Sequence, residues 1–248
     1  MKPEAIVFDL FGTLVSFDDA RVPTREIDGR RVPMTIPLLP ELLARFLPGV
    51  GEVQFLAELR RSGAEILERK RREGVEVPTR VRFENALRTL GAAGETLGEV
   101  ATAMAARHMD TLARSVVCPP GRVELLRFLA RGHRLALLSN FDDGATARRV
   151  LAEAGLDEYF ELIVISEEEG IRKPSREIFA RTCRRLQLEP SRCLYIGDTL
   201  VEDIEGASGA GLAALWIRPE AAEPMESPAL DILPDVDALP AWLASRRS

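Results

Sequence analysis

Asp9, Ser139-Asn140, Lys173, and Asp198 with Asp203 five residues beyond it lie far apart in the chain. Together they are the residue types that chemistry on a phosphate ester requires. A carboxylate such as Asp9 can attack phosphorus and form an acyl phosphate. Asp9, Asp198 and Asp203 in one place would repel each other and any incoming anion. A hard divalent cation relieves both problems, and a few carboxylates with waters and a phosphate oxygen is a typical magnesium arrangement. Gly12-Thr13 adds backbone amides and a hydroxyl. Ser139 and the Asn140 backbone can bind further phosphoryl oxygens, and Lys173 supplies a compact positive charge. Lysine occurs only at Lys2, Lys70 and Lys173, with arginine at every other cationic position, which sets Lys173 apart. Taken singly, each group is also ordinary turn or surface chemistry; the reading rests on their meeting at one place.

The elements that would bring them together are five short apolar runs rich in β-branched residues, read as buried parallel strands: Ala5–Phe8, Leu135–Leu138, Leu162–Ile165, Cys193–Ile196 and Leu212–Ile217. Helical patterns separate the later ones, over about Arg122–Arg131, Thr146–Ala154, Arg176–Leu186 with Ser175 as N-cap, and Val201–Ser208. A last amphipathic piece, Val236–Ser245, should pack Leu239, Trp242 and Leu243 onto the sheet. Strands alternating with short helices predict right-handed βαβ units and an α/β fold with a doubly wound, Rossmann-like parallel sheet. In such a sheet ligands bind beyond the carboxyl ends of the strands, where Asp9, Ser139-Asn140 and Asp198 stand.

Between the first strand and the next βα unit, about a hundred residues have a different character. Five prolines between Phe17 and Gly49 argue against a long helix there. The segment Arg25–Val32 reads as a hairpin around Asp28-Gly29, a pair that favours the positive φ such turns need. Its arginines either touch an anionic substrate or simply solvate a flap, and solvation is preferred. Helices are expected over Val53–Arg72, Thr79–Leu90 and Thr96–Arg114, with Phe55, Leu59 and Ile66 forming a bundle-core stripe beside Leu56 and Leu67. The predicted organisation is a catalytic core of residues 1–15 and 116–248 carrying a mostly helical insert, 16–115.

Composition narrows the partners. Hydrophobic residues are 46% and charged residues 29% of the 248, which is globular rather than disordered. The net charge is −6 with no block of like charge, against nucleic acid or an anionic membrane as partner. No apolar run approaches the roughly 20 residues of a membrane span. Glu4 stands where a signal peptide would be apolar, so no export is expected. The three cysteines, Cys118, Cys183 and Cys193, fit neither a disulfide framework nor a zinc site and are expected to be buried, reduced thiols of a cytoplasmic protein. Both a monomer and a homodimer are compatible with the chain.

The motifs resemble those of the haloacid dehalogenase-like hydrolase superfamily across the whole core. Asp9-Leu10-Phe11-Gly12-Thr13-Leu14 is similar to the nucleophile motif, and Leu138-Ser139-Asn140 to the second. Arg172-Lys173-Pro174 is similar to the third, and Gly197-Asp198-Thr199 through Asp203 to the fourth. The resemblance implies a Mg²⁺-dependent mechanism through an aspartyl-phosphate on Asp9. Asp9, the Phe11 carbonyl and Asp198 would be metal ligands, with Asp203 supporting the metal shell. The insert after the first strand matches the position of the family's helical cap, which covers the site and selects substrate.

One departure matters. Phosphatases of this superfamily usually carry, two residues after the nucleophile, a second aspartate that protonates the leaving oxygen; here Phe11 stands there. General acid–base help is worth about 10²–10⁴-fold. The sequence is read first as a phosphatase of a small phosphorylated metabolite, with Asp142, Asp143 or His108 as candidates for the missing group, or with a substrate whose leaving group is good. The alternative is a 2-haloacid dehalogenase, in which an aromatic residue at this position is familiar and halide leaves without a proton. That branch needs no metal and lacks a carboxylate at the position of Asp198, so Asp198 and Asp203 favour the phosphatase. A third reading is a catalytically weak metabolite- or protein-binding module, against which the retained Asp9 and Lys173 argue.

Overall fold

Ala5, Ile6, Val7 and Phe8 are all fully buried, and so are most side chains of the runs read as strands. A strand covered on both faces gains about 1.5–3 kcal/mol from burial of each large aliphatic or aromatic side chain. The computed structural model describes residues 3–27, 29–36, 39–94, 96–218 and 225–246. The chain divides into two compact units, residues 1–17 with 117–248, and residues 18–116.

The first unit is an α/β fold. Six strands lie in the order Asp231–Leu233, Ala213–Ile217, Cys193–Gly197, Ala5–Phe8, Arg134–Ser139, Leu162–Ile165, and every neighbouring pair is parallel. The edge strand Asp231–Leu233 was not expected; it is only three residues long and carries one buried side chain. Helices Arg122–Leu129, Gly144–Glu153, Arg176–Leu186 and Leu239–Ser245 connect or flank the strands. Ser175 occupies the N-cap position but its side chain makes no capping bond, whereas Asp143 caps its helix by accepting from Thr146 N at 2.9 Å. The helix expected over Val201–Ser208 is a π turn, Leu200–Glu205, leading into the short helix Gly206–Gly209. The Thr199 carbonyl causes this by accepting from both Asp203 N at 2.9 Å and Ile204 N at 3.3 Å. In the final helix Leu239 and Leu243 are buried, while Trp242 donates to Asp231 at 2.9 Å.

In the second unit, Thr24–Ile27 pairs antiparallel with Arg30–Pro33 as a hairpin. Gly29 takes the positive φ of 71°, and Asp28 lies outside the described residues. The proline-rich segment does hold one short helix, Leu39–Phe46, because Pro40 sits in its first turn, where no amide partner is needed. Helices Glu52–Glu73, Thr79–Thr89 and Thr96–Ser115 follow. Phe55, Leu59, Phe83, Leu87 and Met104 share their core. The expected stripe fades toward its end: Ile66 is half-buried and Leu67 is 41% exposed. Among the described residues no helix is long and apolar enough to cross a membrane. Cys183 and Cys193 are buried free thiols, and Cys118 is half-buried.

Candidate active site

Register puts three strand ends side by side. Phe8 lies opposite both Leu137 and Ile196, so Asp9, Ser139 and Asp198, one or two residues further along their strands, stand along one edge of the sheet. Asp9 extends the ladder by one bond, donating its amide to Ile196 O at 2.8 Å. The strand order reverses about Ala5–Phe8, which is where an open parallel sheet leaves a crevice for a ligand.

Lys173 reaches this crevice from the segment before helix Arg176–Leu186. Its Nζ donates to Asp9 Oδ1 at 2.7 Å, to Asp203 Oδ1 at 2.6 Å and to Tyr195 Oη at 2.8 Å. Only 2% of Lys173 is exposed, so these partners replace water for all three ammonium hydrogens. Asn140 clamps the backbone beneath: its Oδ1 accepts from Lys173 N at 2.9 Å and its Nδ2 donates to Lys173 O at 3.0 Å. The Asn140 side chain is therefore engaged in placing the lysine, leaving its backbone for any ligand. Asp203 is held at its other oxygen as well, where Thr199 N donates at 3.0 Å.

Ligating oxygens of Asp9, Asp198 and Asp203 all lie within 4.8 Å of one another. Two glycines make this crowding possible. A β-carbon on Gly197 would stand 2.4 Å from the Asp203 carboxyl carbon, and one on Gly12 would stand 2.2 Å from Asp198 Oδ2. The Gly12 amide was expected to face a ligand, but it donates to Val15 O at 2.7 Å. What Gly12 contributes is room. Trp216 fixes Asp198 from the far side, donating from Nε1 to the Asp198 carbonyl at 2.7 Å.

The electrostatics follow from three carboxylates and one ammonium in a dry place. Burial pushes the Asp9 carboxyl up to about 7; Lys173 opposes the shift, and Asp203 and Asp198 add to it. Burial and the neighbouring Asp203 likewise raise Asp198. Burial alone would push the Lys173 ammonium down, but Asp203 and Asp9 outweigh it and hold it above the usual lysine value. The surplus negative charge, carried entirely by hard oxygens, suits a hard divalent cation. Thr13 Oγ1 and Ser139 Oγ are both buried without a hydrogen-bond partner, so each has its hydroxyl unengaged.

Phe11 is packed between rings. It stacks on Phe17 at 4.9 Å and 8°, and on Phe141 at 4.6 Å and 27°. Two of the three candidates for a replacement acid have other work. Asp143 caps a helix, and His108 lies in the second unit as a neutral ring. Arg82 Nη2 donates to its Nε2 at 2.9 Å, and its Nδ1 lies 2.7 Å from Thr35 Oγ1. Burial, with Arg82 adding to it, pushes His108 down to about 3. Of the hairpin arginines, Arg25 pairs with Glu52 at 3.1 Å and Arg31 donates to Thr24 at 2.7 Å.

Tyr195 is the site residue that the motif reading passed over. Its one signal was a phenol inside an otherwise apolar strand, since a buried tyrosine hydroxyl must find a partner.

Comparison with known proteins gives related chains and related folds. A stretch of 157 residues, 62% of this chain and 66% of the relative, is 32% identical to glyceraldehyde 3-phosphate phosphatase of Methanopyrus kandleri. Another, 124 residues covering 49% of this chain and 50% of the relative, is 36% identical to N-acylneuraminate-9-phosphatase of Rattus norvegicus. The chain thus spans between half and two-thirds of these relatives' lengths. The crystal structure of a 2-haloacid dehalogenase from Pseudomonas syringae pv. Tomato superposes with a TM-score of 0.73 at 23% identity, covering 99% of this chain and 100% of that one. A HAD phosphatase from Thermococcus onnurineus gives 0.61 at 20% identity, covering 100% of both chains. At these identities the likeness is one of fold, shared by phosphatase and dehalogenase alike. The family model for haloacid dehalogenase-like hydrolases matches residues 3–211, and the chain belongs to that family.

Proposed function

We propose that this chain is a magnesium-dependent phosphatase that acts on a small phosphorylated metabolite through a phosphorylated Asp9. The observation that carries the reading is the meeting of Asp9, Asp198 and Asp203 within 4.8 Å around the ammonium of Lys173. A dehalogenase has no use for so much negative charge, whereas a cation-assisted attack on phosphate does. Asp9, the Phe11 carbonyl and Asp198 would hold the ion, with Asp203 supporting them from behind. When bound, magnesium would neutralise charge on the carboxylates and on the phosphoryl oxygens.

The chain's own residues do the rest. An Asp9 oxygen attacks phosphorus, and the bond from phosphorus to the ester oxygen breaks. Thr13, Ser139 and the Asn140 backbone hold the phosphoryl oxygens as charge builds on them, and the Lys173 ammonium, bonded to Asp9, offsets that charge from beside the nucleophile. Attack by water on the phosphorylated Asp9 then releases phosphate and restores the carboxylate. Residues 18–116 are read as the cap that selects the substrate. The phosphate esters named in the two relatives support the substrate class, and the free thiols support a cytoplasmic protein.

Parallel assays of phosphate and halide release, each with magnesium and with a chelator, test the proposal. Phosphate release that disappears with the chelator is the expected result. Phe11 keeps the dehalogenase in view, and halide release indifferent to chelation would replace the phosphatase reading with it. Silence in every assay would favour a binding module.

A further inference from the structure

The strand Cys193–Gly197 is buried throughout, and one side-chain hydroxyl lies inside it. That hydroxyl, Tyr195 Oη, touches three things at once. It accepts from Lys173 Nζ at 2.8 Å, lies 2.8 Å from Asp203 Oδ1, and lies 3.2 Å from the carbonyl of Leu138, the residue before Ser139. A phenol has one proton to give, and the shorter contact assigns it to Asp203. Lys173 therefore faces two anionic acceptors and one neutral one.

We propose that Tyr195 is a positioning residue, whose hydroxyl takes the third ammonium hydrogen of Lys173 and holds Asp203, so that Lys173 stays shared between Asp9 and Asp203. The inference rests on the phosphatase reading of this site. A lysine side chain has four rotatable bonds, so the place of its nitrogen is set by its partners. Without the phenol, one N–H in a dry site has no acceptor and Asp203 loses a donor. The barer Asp203 carboxylate then competes better for the ammonium and draws it from Asp9. Positive charge leaves the place where charge on the transferring phosphoryl group develops. The loss falls on the transition state rather than on substrate binding.

The ring itself has separate support. Phe179 meets it edge-on at 5.3 Å and 74°. Tyr195→Phe keeps that packing and removes only the hydroxyl. With an aryl phosphate and magnesium, kcat is expected to fall by about ten- to a hundredfold with KM nearly unchanged. In an Asp203→Asn background the same substitution should cost little more, because its effect travels through Asp203. A kcat that does not move, or losses that simply multiply, would overturn the inference.

A second measurement needs no turnover. The chain has three lysines, Lys2, Lys70 and Lys173, so a protein labelled with ¹⁵N-lysine has three side-chain ammonium groups to observe. The signal lost in Lys173→Arg identifies Lys173. In the wild type it should exchange slowly with water, and in Tyr195→Phe it should shift and broaden. An unchanged Lys173 signal would sink the positioning role even if the wild type released no phosphate. That last result would count against the phosphatase reading alone.

Discussion

Gly12 and Asp198 are packed so closely that a β-carbon on the glycine would stand 2.2 Å from a carboxylate oxygen. Gly12 also holds a φ of 87°, a conformation that costs an L-residue about 1–2 kcal/mol. Gly12→Ala is therefore expected to lower the unfolding temperature and to push Asp198 away from Asp9. The second effect is separable. At magnesium a hundredfold above its dissociation constant the wild type should gain about 2.7 kcal/mol of stability. Gly12→Ala should gain much less. Thermal unfolding with and without magnesium checks both, and an equal gain in the variant would mean Asp198 does not hold the ion.

Asp9 is the single group assigned to attack phosphorus. Asp9→Asn keeps the side-chain shape and an oxygen for Lys173 while removing the nucleophile. Turnover is expected to fall by more than about 10⁴-fold with the circular dichroism spectrum unchanged. Phosphate release at the wild-type rate would remove Asp9 from its role.

How much of this was legible in the sequence depends on what kind of information each feature needs. The strand Ala5–Phe8 could be read directly, because burial on both faces demands an unbroken apolar run. Asp9, Ser139 and Asp198 could be placed together because a parallel sheet brings the carboxyl ends of its strands to one edge. Tyr195 could not, since its partners Lys173 and Asp203 come from other segments and its own neighbours suggest only core. The same holds for Gly197, whose missing side chain matters only because Asp203 folds back over it through the π turn. Helix Leu39–Phe46 was hidden by a proline that harms a helix interior but not its first turn. Pairings between distant segments and local backbone exceptions were the parts that pattern alone left out.

His108 makes stability depend on pH in a definite direction. Its folded value, about 3, lies below the ordinary imidazole value of 6.5, because burial and the facing Arg82 guanidinium disfavour the imidazolium; the other ring nitrogen meets the uncharged Thr35. Below pH 6.5 the unfolded chain takes a proton that the folded chain refuses. Stability is thus lost as pH falls from about 6.5 toward about 3, and by pH 5 the loss from this residue is about 2 kcal/mol. His108→Gln removes the titration. Urea denaturation at pH 7 and pH 5 should show a drop for the variant that is smaller by that amount. Equal drops in the two proteins would mean the ring is protonated in the fold.

Phe11 gives the sharpest expectation about substrates. Its ring is stacked between Phe17 and Phe141 and has no proton to lend. The leaving oxygen then departs with its charge, so kcat/KM should fall steeply as the leaving group becomes more basic, with aryl phosphates far ahead of alkyl phosphates. Phe11→Asp would put a carboxyl group two residues from the nucleophile, at a cost of about 1–3 kcal/mol for two lost aromatic contacts. If it can act as the acid, alkyl phosphates gain by about 10²–10⁴-fold, aryl phosphates gain little, and the slope flattens. The check is kcat/KM against leaving-group pKa for both proteins. A slope already shallow in the wild type would mean that another group delivers the proton, and the new carboxyl would then add nothing.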